Sequence, residues 1–366
     1  MMKAFYVSGT NSKVKTIPIP MPEKNEVLIK ILRAGVCNTD LEILKGYMGF
    51  EGVVGHEFVG VVTDVNKTSD NYEIEKARLL NKRVCGDINC ACFDLNNCNT
   101  CKIGGDLGRN HCPTRTVLGI LGKNGTYSEY ITLPIRNLHL IPDTIDDETA
   151  VFVEPLAAAC RIIEQKVINV NTDRVAVIGD GKLGLLIMEV LARQNFIKHR
   201  PMILGHHPEK MCLLDDLNVQ MVMLKDDNGG GDDDKIQTIS EEFQHKIMFE
   251  YKNNLQNKFD VVIDATGSPG GLNLAAFMTR PLGKLVLKST CAVGSNFNTA
   301  PFVIDEINIV GSRCGPFPQA ILLLNNHPQP FNMKKYISNV YKLSEAKQAI
   351  EKAKEKGSLK VQILVD

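Results

Sequence analysis

Val175-Ala176-Val177-Ile178 runs without interruption into Gly179-Asp180-Gly181-Lys182-Leu183-Gly184. Four consecutive apolar residues ending at a glycine read as a short strand buried on both faces. The glycine pattern then opens a helix, with Lys182 and Leu183 in its first turn. That context gives the pattern meaning. Gly179 permits a tight turn, Gly181 lets the backbone approach a pyrophosphate at the positive end of the helix, and Gly184 lets helix and strand pack closely.

The surrounding pattern has the same character. A helix is predicted over Lys182–Gln194, a strand over Met202–Leu204 and a helix over Glu209–Leu217. Buried strands follow at Asp260–Asp264 and Lys284–Leu287, with a helix at Gly271–Phe277 between them, and a last strand at 307–312. Continuous apolar strands alternating with helices indicate a parallel sheet covered on both faces. The fold class is therefore α/β, with a Rossmann doubly wound parallel-sheet domain over residues 151–315. The run from Asp226 to Asp234 is acidic and low in complexity, which predicts a solvated loop.

Residues 1–150 read differently. Val27–Ile31, Phe58–Val62 and Thr126–Ile131 are strand patterns between turn residues. Pro18, Pro20 and Pro22 mark an extended edge, since proline cannot donate to a sheet ladder. Residues 86–113 show no period and read as a loop held by something other than a core. The character changes near Glu148, and a helix is predicted to begin near Glu154-Pro155. An amphipathic helix over Leu343–Lys354 and a strand over Lys360–Val365 close the chain. This tail is expected to return to the first domain, making that domain discontinuous (1–150 and 316–366).

Composition excludes several classes. Among 366 residues, 42 Lys and Arg balance 42 Asp and Glu, so no global field draws in nucleic acid or a membrane surface. No apolar run is long enough to span a bilayer. The N-terminus reads as a strand and not as a signal peptide, which makes the cytoplasm the default expectation. Eleven cysteines are then expected as thiols.

The end of the second strand bears on cofactor choice. An acid there would bind ribose hydroxyls and repel a 2′-phosphate. The chain has Gly205-His206-His207-Pro208-Glu209-Lys210 instead. Asp215 and Asp216 lie too far along to replace the acid, while His206 and Lys210 could donate to a phosphate. This reading favours NADP over NAD.

Two groups of residues carry metal-ligand chemistry. Cys37, His56 and Glu57 bring a thiol, an imidazole and a carboxylate within a short stretch of turn residues, the ligand types zinc prefers. Cys92, Cys98, Cys101 and Cys112 form a candidate four-thiolate zinc site. The two-residue spacing of Cys98 and Cys101 lets both face one ion, and Gly104, Gly105 and Gly108 let the loop fold back. Such a site is structural, because it leaves no open position. Cys90 in place of Cys92, and redox-active disulfides, remain open alternatives.

These features together resemble the zinc-dependent medium-chain alcohol dehydrogenase family, and its polyol, glucose and threonine dehydrogenase branch in particular. The resemblance rests on Gly35-Val36-Cys37-Asn38-Thr39-Asp40, Gly55-His56-Glu57-Phe58-Val59-Gly60, the cysteine loop, Val153-Glu154-Pro155-Leu156-Ala157, the glycine turn and Asp264-Ala265-Thr266-Gly267. It implies a mainly β, GroES-like catalytic domain beside the Rossmann domain. It implies catalytic zinc held by Cys37, His56 and either Glu154 or Glu57. Asp40 matches the acid that orients the histidine ligand, and Thr39 the hydroxyl that passes the substrate proton. Glu42 stands where a relay histidine is frequent. Thr266 and Lys360 match positions near the cofactor.

The implied activity is reversible hydride transfer between an alcohol or carbonyl substrate and NAD(P), in a homodimer or homotetramer. Two alternatives are a zinc-independent reductase of activated double bonds and a non-catalytic nucleotide-binding protein of the same fold. The sequence departs from the family in two places. The structural cysteines are more widely spaced than usual, and the segment between Cys37 and His56 is short.

Overall fold

Apolar residues recur at alternate positions along Glu26–Gly35, so that Val27, Ile29 and Ile31 are buried and the residues between them are partly solvated. A strand of that pattern needs one face on a core. In the computed structural model it lies at the centre of a seven-stranded sheet. The described residues are all but 10, 47–48, 93, 95, 226–246, 290–296, 327–330 and 366.

The chain divides into two compact units, Met1–Glu154 with Phe317–Asp366, and Pro155–Pro316. The first is mainly β. Its larger sheet runs in the order Leu138–Leu140, Arg83–Gly86, Glu57–Val65, Glu26–Gly35, Lys360–Leu364, Ile337–Lys342, with Tyr130–Pro134 also paired to Glu26–Gly35. The C-terminal strand lies antiparallel to Glu26–Gly35, with Gln362 opposite Gly35. Gly35 in turn faces Glu57 across the neighbouring pair. Residues more than 300 positions apart are thereby set side by side at one end of the sheet.

The second unit carries a parallel sheet of seven described strands. Their order is Ile247–Tyr251, Gln220–Lys225, Met202–Gly205, Val175–Ile178, Phe259–Asp264, Thr279–Leu287, Asn308–Gly311. Val175–Ile178 is buried along its whole length, as both-face coverage requires. Successive strands run outward from it on one side, and then restart on its other side. Its C-terminal end is therefore the topological switch point, the place where open α/β sheets take their ligands.

The expectations differ from the structure at several places. The cysteine-rich segment is not loop throughout, because a helix spans Asn99–Gly108. The Asp94 carboxylate accepts the backbone N–H groups of Asn96 (3.0 Å) and Asn97 (2.9 Å) just before it. Local capping and tertiary context thus outweigh the low helix propensity of its glycines. The strand expected at Thr126–Ile131 begins only at Tyr130. The backbone of 125–127 instead donates to Val53, Gly55 and Val54. The helix expected over Glu209–Leu217 is short, Pro208–Met211, followed by a 3-10 turn at Cys212–Leu214. The acidic Asp226–Asp234 run lies outside the described residues.

Candidate active site

In the first unit, a short helix, Asn38–Ile43, starts directly after Cys37. The Asp40 carboxylate folds back onto the Cys37 N–H at 2.9 Å, closing the first turn as a capping acid does. The same carboxylate accepts the Gly55 N–H at 3.2 Å. Asp40 therefore ties together the two loops that carry Cys37 and His56. Its Oδ1 lies 3.3 Å from His56 Nδ1, and Tyr127 donates its hydroxyl hydrogen to Oδ2 at 2.7 Å. All of this is buried: Asp40 is 0% and Tyr127 0% exposed.

Gly55 makes the arrangement possible. Its φ of +97° is left-handed, and a Cβ there would stand 2.4 Å from the Tyr127 ring. Only glycine meets both conditions without strain.

The electrostatics follow from this burial. Burial alone would lower the His56 pKa, but the Asp40 and Cys37 charges and the hydrogen bonds to both together outweigh it and raise the pKa well above the usual imidazole range. Burial opposes ionisation of Asp40 too, yet His56 and the hydrogen bonds hold its pKa below the ordinary value. Burial first, then the Asp40 charge, keep the Tyr127 hydroxyl protonated.

Ligand atoms of Cys37, His56 and Glu57 all lie within 4.8 Å of one another. Glu57 Oε2 also accepts from the buried Lys360 ammonium, which stands 5.8 Å over the Phe152 ring. Lys360, expected near cofactor phosphates, is thus 2% exposed and paired with a carboxylate of the cluster. Glu154 is not among the described donors of that cluster. Its carboxyl is pushed up to about 7, by burial first and by Glu57 and Asp87 besides, while His56 and Lys360 oppose the shift.

Thr39 Oγ1 lies 3.8 Å from Cys37 Sγ. Glu42 is engaged elsewhere, in an ion pair with Lys45 at 2.8 Å. Sequence reasoning missed Tyr127; no local pattern marks it, since its role depends on a contact 87 residues away.

Cys92, Cys98, Cys101 and Cys112 also bring their sulfurs within 4.8 Å of one another. Cys112 Sγ is 3.4 Å from Cys92 Sγ and 3.9 Å from Cys98 Sγ, and Cys92 Sγ is 3.8 Å from Cys101 Sγ. These separations exceed a disulfide bond and suit thiolates around one ion. Cys90 stands apart, with its sulfur 3.8 Å from the Asn137 amide. The wide spacing of Cys92 and Cys98 is taken up by the turn at Asp94.

In the second unit, Gly179 has a φ of +111°, so the tight turn requires glycine. A Cβ on Gly181 would enter open space, which leaves its backbone approachable. The Thr266 hydroxyl donates to Asp264 Oδ1 at 2.8 Å, and the Thr266 backbone lies against Gly179. His206 is exposed and His207 half-buried, whereas Lys210 is buried. Asp180, to which the sequence assigned no role, accepts both backbone N–H groups, from His206 at 2.7 Å and His207 at 2.6 Å.

Residues 23–143 match the family model of the alcohol dehydrogenase GroES-like domain. The chain is 28% identical to the L-threonine 3-dehydrogenase of Xanthomonas euvesicatoria over 74% of its length and 72% of that protein's. The crystal structure of the alcohol dehydrogenase RspB from Escherichia coli CFT073, complexed with NADH, superposes with a TM-score of 0.79. That match has 25% identity and covers 99% of each chain. A zinc-binding dehydrogenase from Sinorhizobium meliloti 1021, bound to NADP, has the same fold, with a TM-score of 0.78 and 23% identity over 100% of this chain and 99% of that one. Residues 23–143 thus carry an alcohol dehydrogenase GroES-like domain, and the whole chain is similar in fold and sequence to zinc-binding, medium-chain dehydrogenases.

Proposed function

We propose that this chain is an NAD(P)-dependent zinc alcohol dehydrogenase, an oxidoreductase acting on CH–OH groups of a small-molecule alcohol or carbonyl substrate. The observation that carries the site assignment is the cluster of Cys37, His56 and Glu57 with Asp40 behind the imidazole. A thiolate, an imidazole and a carboxylate suit zinc, and an acid behind the histidine is the usual support for such a ligand. Cys37, His56 and Glu57 would hold the catalytic ion; Glu154 is the alternate carboxylate. The four cysteines would hold a structural ion. The first unit is then the catalytic domain and the second the dinucleotide-binding domain.

When bound, zinc supplies Lewis acidity at the substrate oxygen and the nicotinamide supplies a hydride acceptor. The chain's own residues do the rest. Asp40 fixes the His56 ring by approaching Nδ1, leaving Nε2 for the ion. Lys360 balances the charge of Glu57 in a region closed to water. Thr39 Oγ1, beside Cys37, accepts the alcohol proton and passes its own on. The glycine turn at Gly179 to Gly184 receives the pyrophosphate, with Lys182 and Leu183 opening the helix behind it.

The sequence argument for NADP drew on the acid missing from position 205. Asp180 Oδ2 lies 2.3 Å from where a Cβ at position 205 would stand, so a carboxylate is present beside that position although Gly205 carries none. The outermost strand of the parallel sheet, Asn308–Gly311, has exposed Ile309 on it, which supports assembly into a homodimer or homotetramer. The described residues contain no helix long and apolar enough to cross a membrane.

The test is alcohol-dependent reduction of NAD and NADP across simple alcohols, polyols and hydroxy acids, with and without chelator. Chelator-sensitive turnover is the expected result. Chelator-insensitive reduction of enones would establish the double-bond reductase instead, and nucleotide binding without turnover the non-catalytic reading.

A further inference from the structure

We propose that Asp180 is the residue by which this chain selects its dinucleotide, favouring a free 2′-hydroxyl over a 2′-phosphate. The proposal rests on the assignment of the Gly179–Gly184 turn as the dinucleotide site. In a doubly wound sheet the adenosine ribose lies over the tip of the second strand, where an acid takes its hydroxyls. Here that tip is Gly205, the last residue of Met202–Gly205. A Cβ on Gly205 would stand 2.3 Å from Asp180 Oδ2 and 2.7 Å from Asp180 Cγ. The carboxylate missing from the second strand is thus supplied at the same place from the glycine turn. The two positions are linked, because with Asp180 present only glycine fits at 205.

The Asp180 contacts show what it does there. Its Oδ2 accepts the backbone N–H groups of His206 and His207 at 2.7 and 2.6 Å. Backbone N–H groups just past the strand tip are donors that a 2′-phosphate would otherwise find. Asp180 occupies them and places a negative charge against the incoming phosphate. Its Oδ1 has His207 Nδ1 at 3.1 Å as its described hydrogen-bond contact. Each carboxylate oxygen accepts about two hydrogen bonds, so Oδ1 retains capacity for a ribose hydroxyl. Of the basic side chains in the segment, His207 is turned to Asp180 and Lys210 is 8% exposed.

The test is calorimetric titration of the full chain with ADP-ribose and with 2′-phospho-ADP-ribose, which needs neither turnover nor metal. The wild type is expected to hold ADP-ribose tighter by about tenfold or more. Asp180→Asn, which keeps the shape and removes the charge, should lose most of that ratio. Asp180→Ser, read in the same way, carries the test if the amide variant does not fold. The double variant Asp180→Gly/Gly205→Asp, which clears the Asp180 Cβ that would stand 2.7 Å from a Cβ at 205 and returns the acid to the strand tip, should restore the ratio. Equal binding, tighter binding of the 2′-phosphorylated ligand by the wild type, or an unchanged ratio in the folded single variant would overturn the proposal. Failure of the wild type to bind either ligand would instead overturn the dinucleotide assignment beneath it.

Discussion

Tyr127 and Asp40 meet at 2.7 Å, hydroxyl to carboxylate, with both side chains fully buried and 87 positions apart in the chain. The Gly35 carbonyl lies 3.1 Å from the same hydroxyl. The contact fixes the acid that in turn approaches His56. A phenol thus acts through Asp40 on the cluster of Cys37, His56 and Glu57.

Tyr127→Phe keeps the ring against Gly55 and removes only the donor. Asp40 then loses one of its hydrogen bonds in a buried place, which costs about 1–3 kcal/mol. Thermal unfolding followed by circular dichroism should show the loss. Metal affinity should fall by about tenfold or more, as it does when the support of a ligand is removed. Unchanged zinc affinity in a folded Tyr127→Phe chain would show that Asp40 needs no help to orient His56.

Glu57 and Lys360 form a second buried pair, 1% and 3% exposed at their side chains. Burial would lower the Lys360 pKa, but Glu57 and the neighbouring Cys37 raise it above the ordinary value. Removing one partner leaves an uncompensated group inside the sheet. Glu57→Gln and Lys360→Met should each destabilise the fold, by about 3–5 kcal/mol. The double variant should recover much of that loss. Urea unfolding of all four chains gives the coupling between the two sites; additive losses would mean that the pair is not energetically coupled.

How much of this was legible in the sequence depended on range. The glycine turn could be read directly, because its chemistry lies in six consecutive residues. So could the pairing of Cys98 with Cys101, which face one way on adjacent turns. Glu57 and Glu154 could not be ranked, since their separation from Cys37 and His56 depends on strand pairing. Lys360 could not be tied to Glu57 from sequence, since strand register brings residues about 300 positions apart together. The missing acid at Gly205 was correctly noticed but read alone. The compensating Asp180 lies on another strand's turn, and no one-dimensional pattern couples the two.

Asp260 offers a titration test in the second unit. Partial burial would raise its pKa, but the Arg174 N–H at 2.8 Å and the Arg280 guanidinium at 2.6 Å outweigh this and lower it. A carboxylate whose folded pKa lies below its unfolded value stabilises the fold above the unfolded value, near 4. That contribution is lost as pH falls through the folded value. Asp260→Asn should therefore be less stable than wild type at pH 7, by up to about 1 kcal/mol given the half-exposed guanidinium. The gap should close below about pH 4. Urea midpoints at both ends of that range decide it; a gap that persists in acid would assign the effect to packing and not to charge.

The two candidate metal positions differ in what they leave open. Four thiolates close a tetrahedron, whereas Cys37, His56 and Glu57 leave room for a further ligand. Protein prepared without chelator should carry about two zinc ions per chain. Burial opposes ionisation of Cys112, but the Cys92 N–H and the Thr114 hydroxyl bring its thiol down to about 6, so it is poised to bind as thiolate near neutral pH. Cys112→Ser should remove one equivalent of zinc and lower the unfolding temperature, because structural zinc contributes folding energy directly. Cys37→Ser should remove the other equivalent and abolish turnover, with the unfolding temperature changed much less and ADP-ribose binding retained. Metal analysis of the three chains separates the sites. A zinc content that Cys112→Ser leaves unchanged would show that the cysteine segment, despite its geometry, holds no ion.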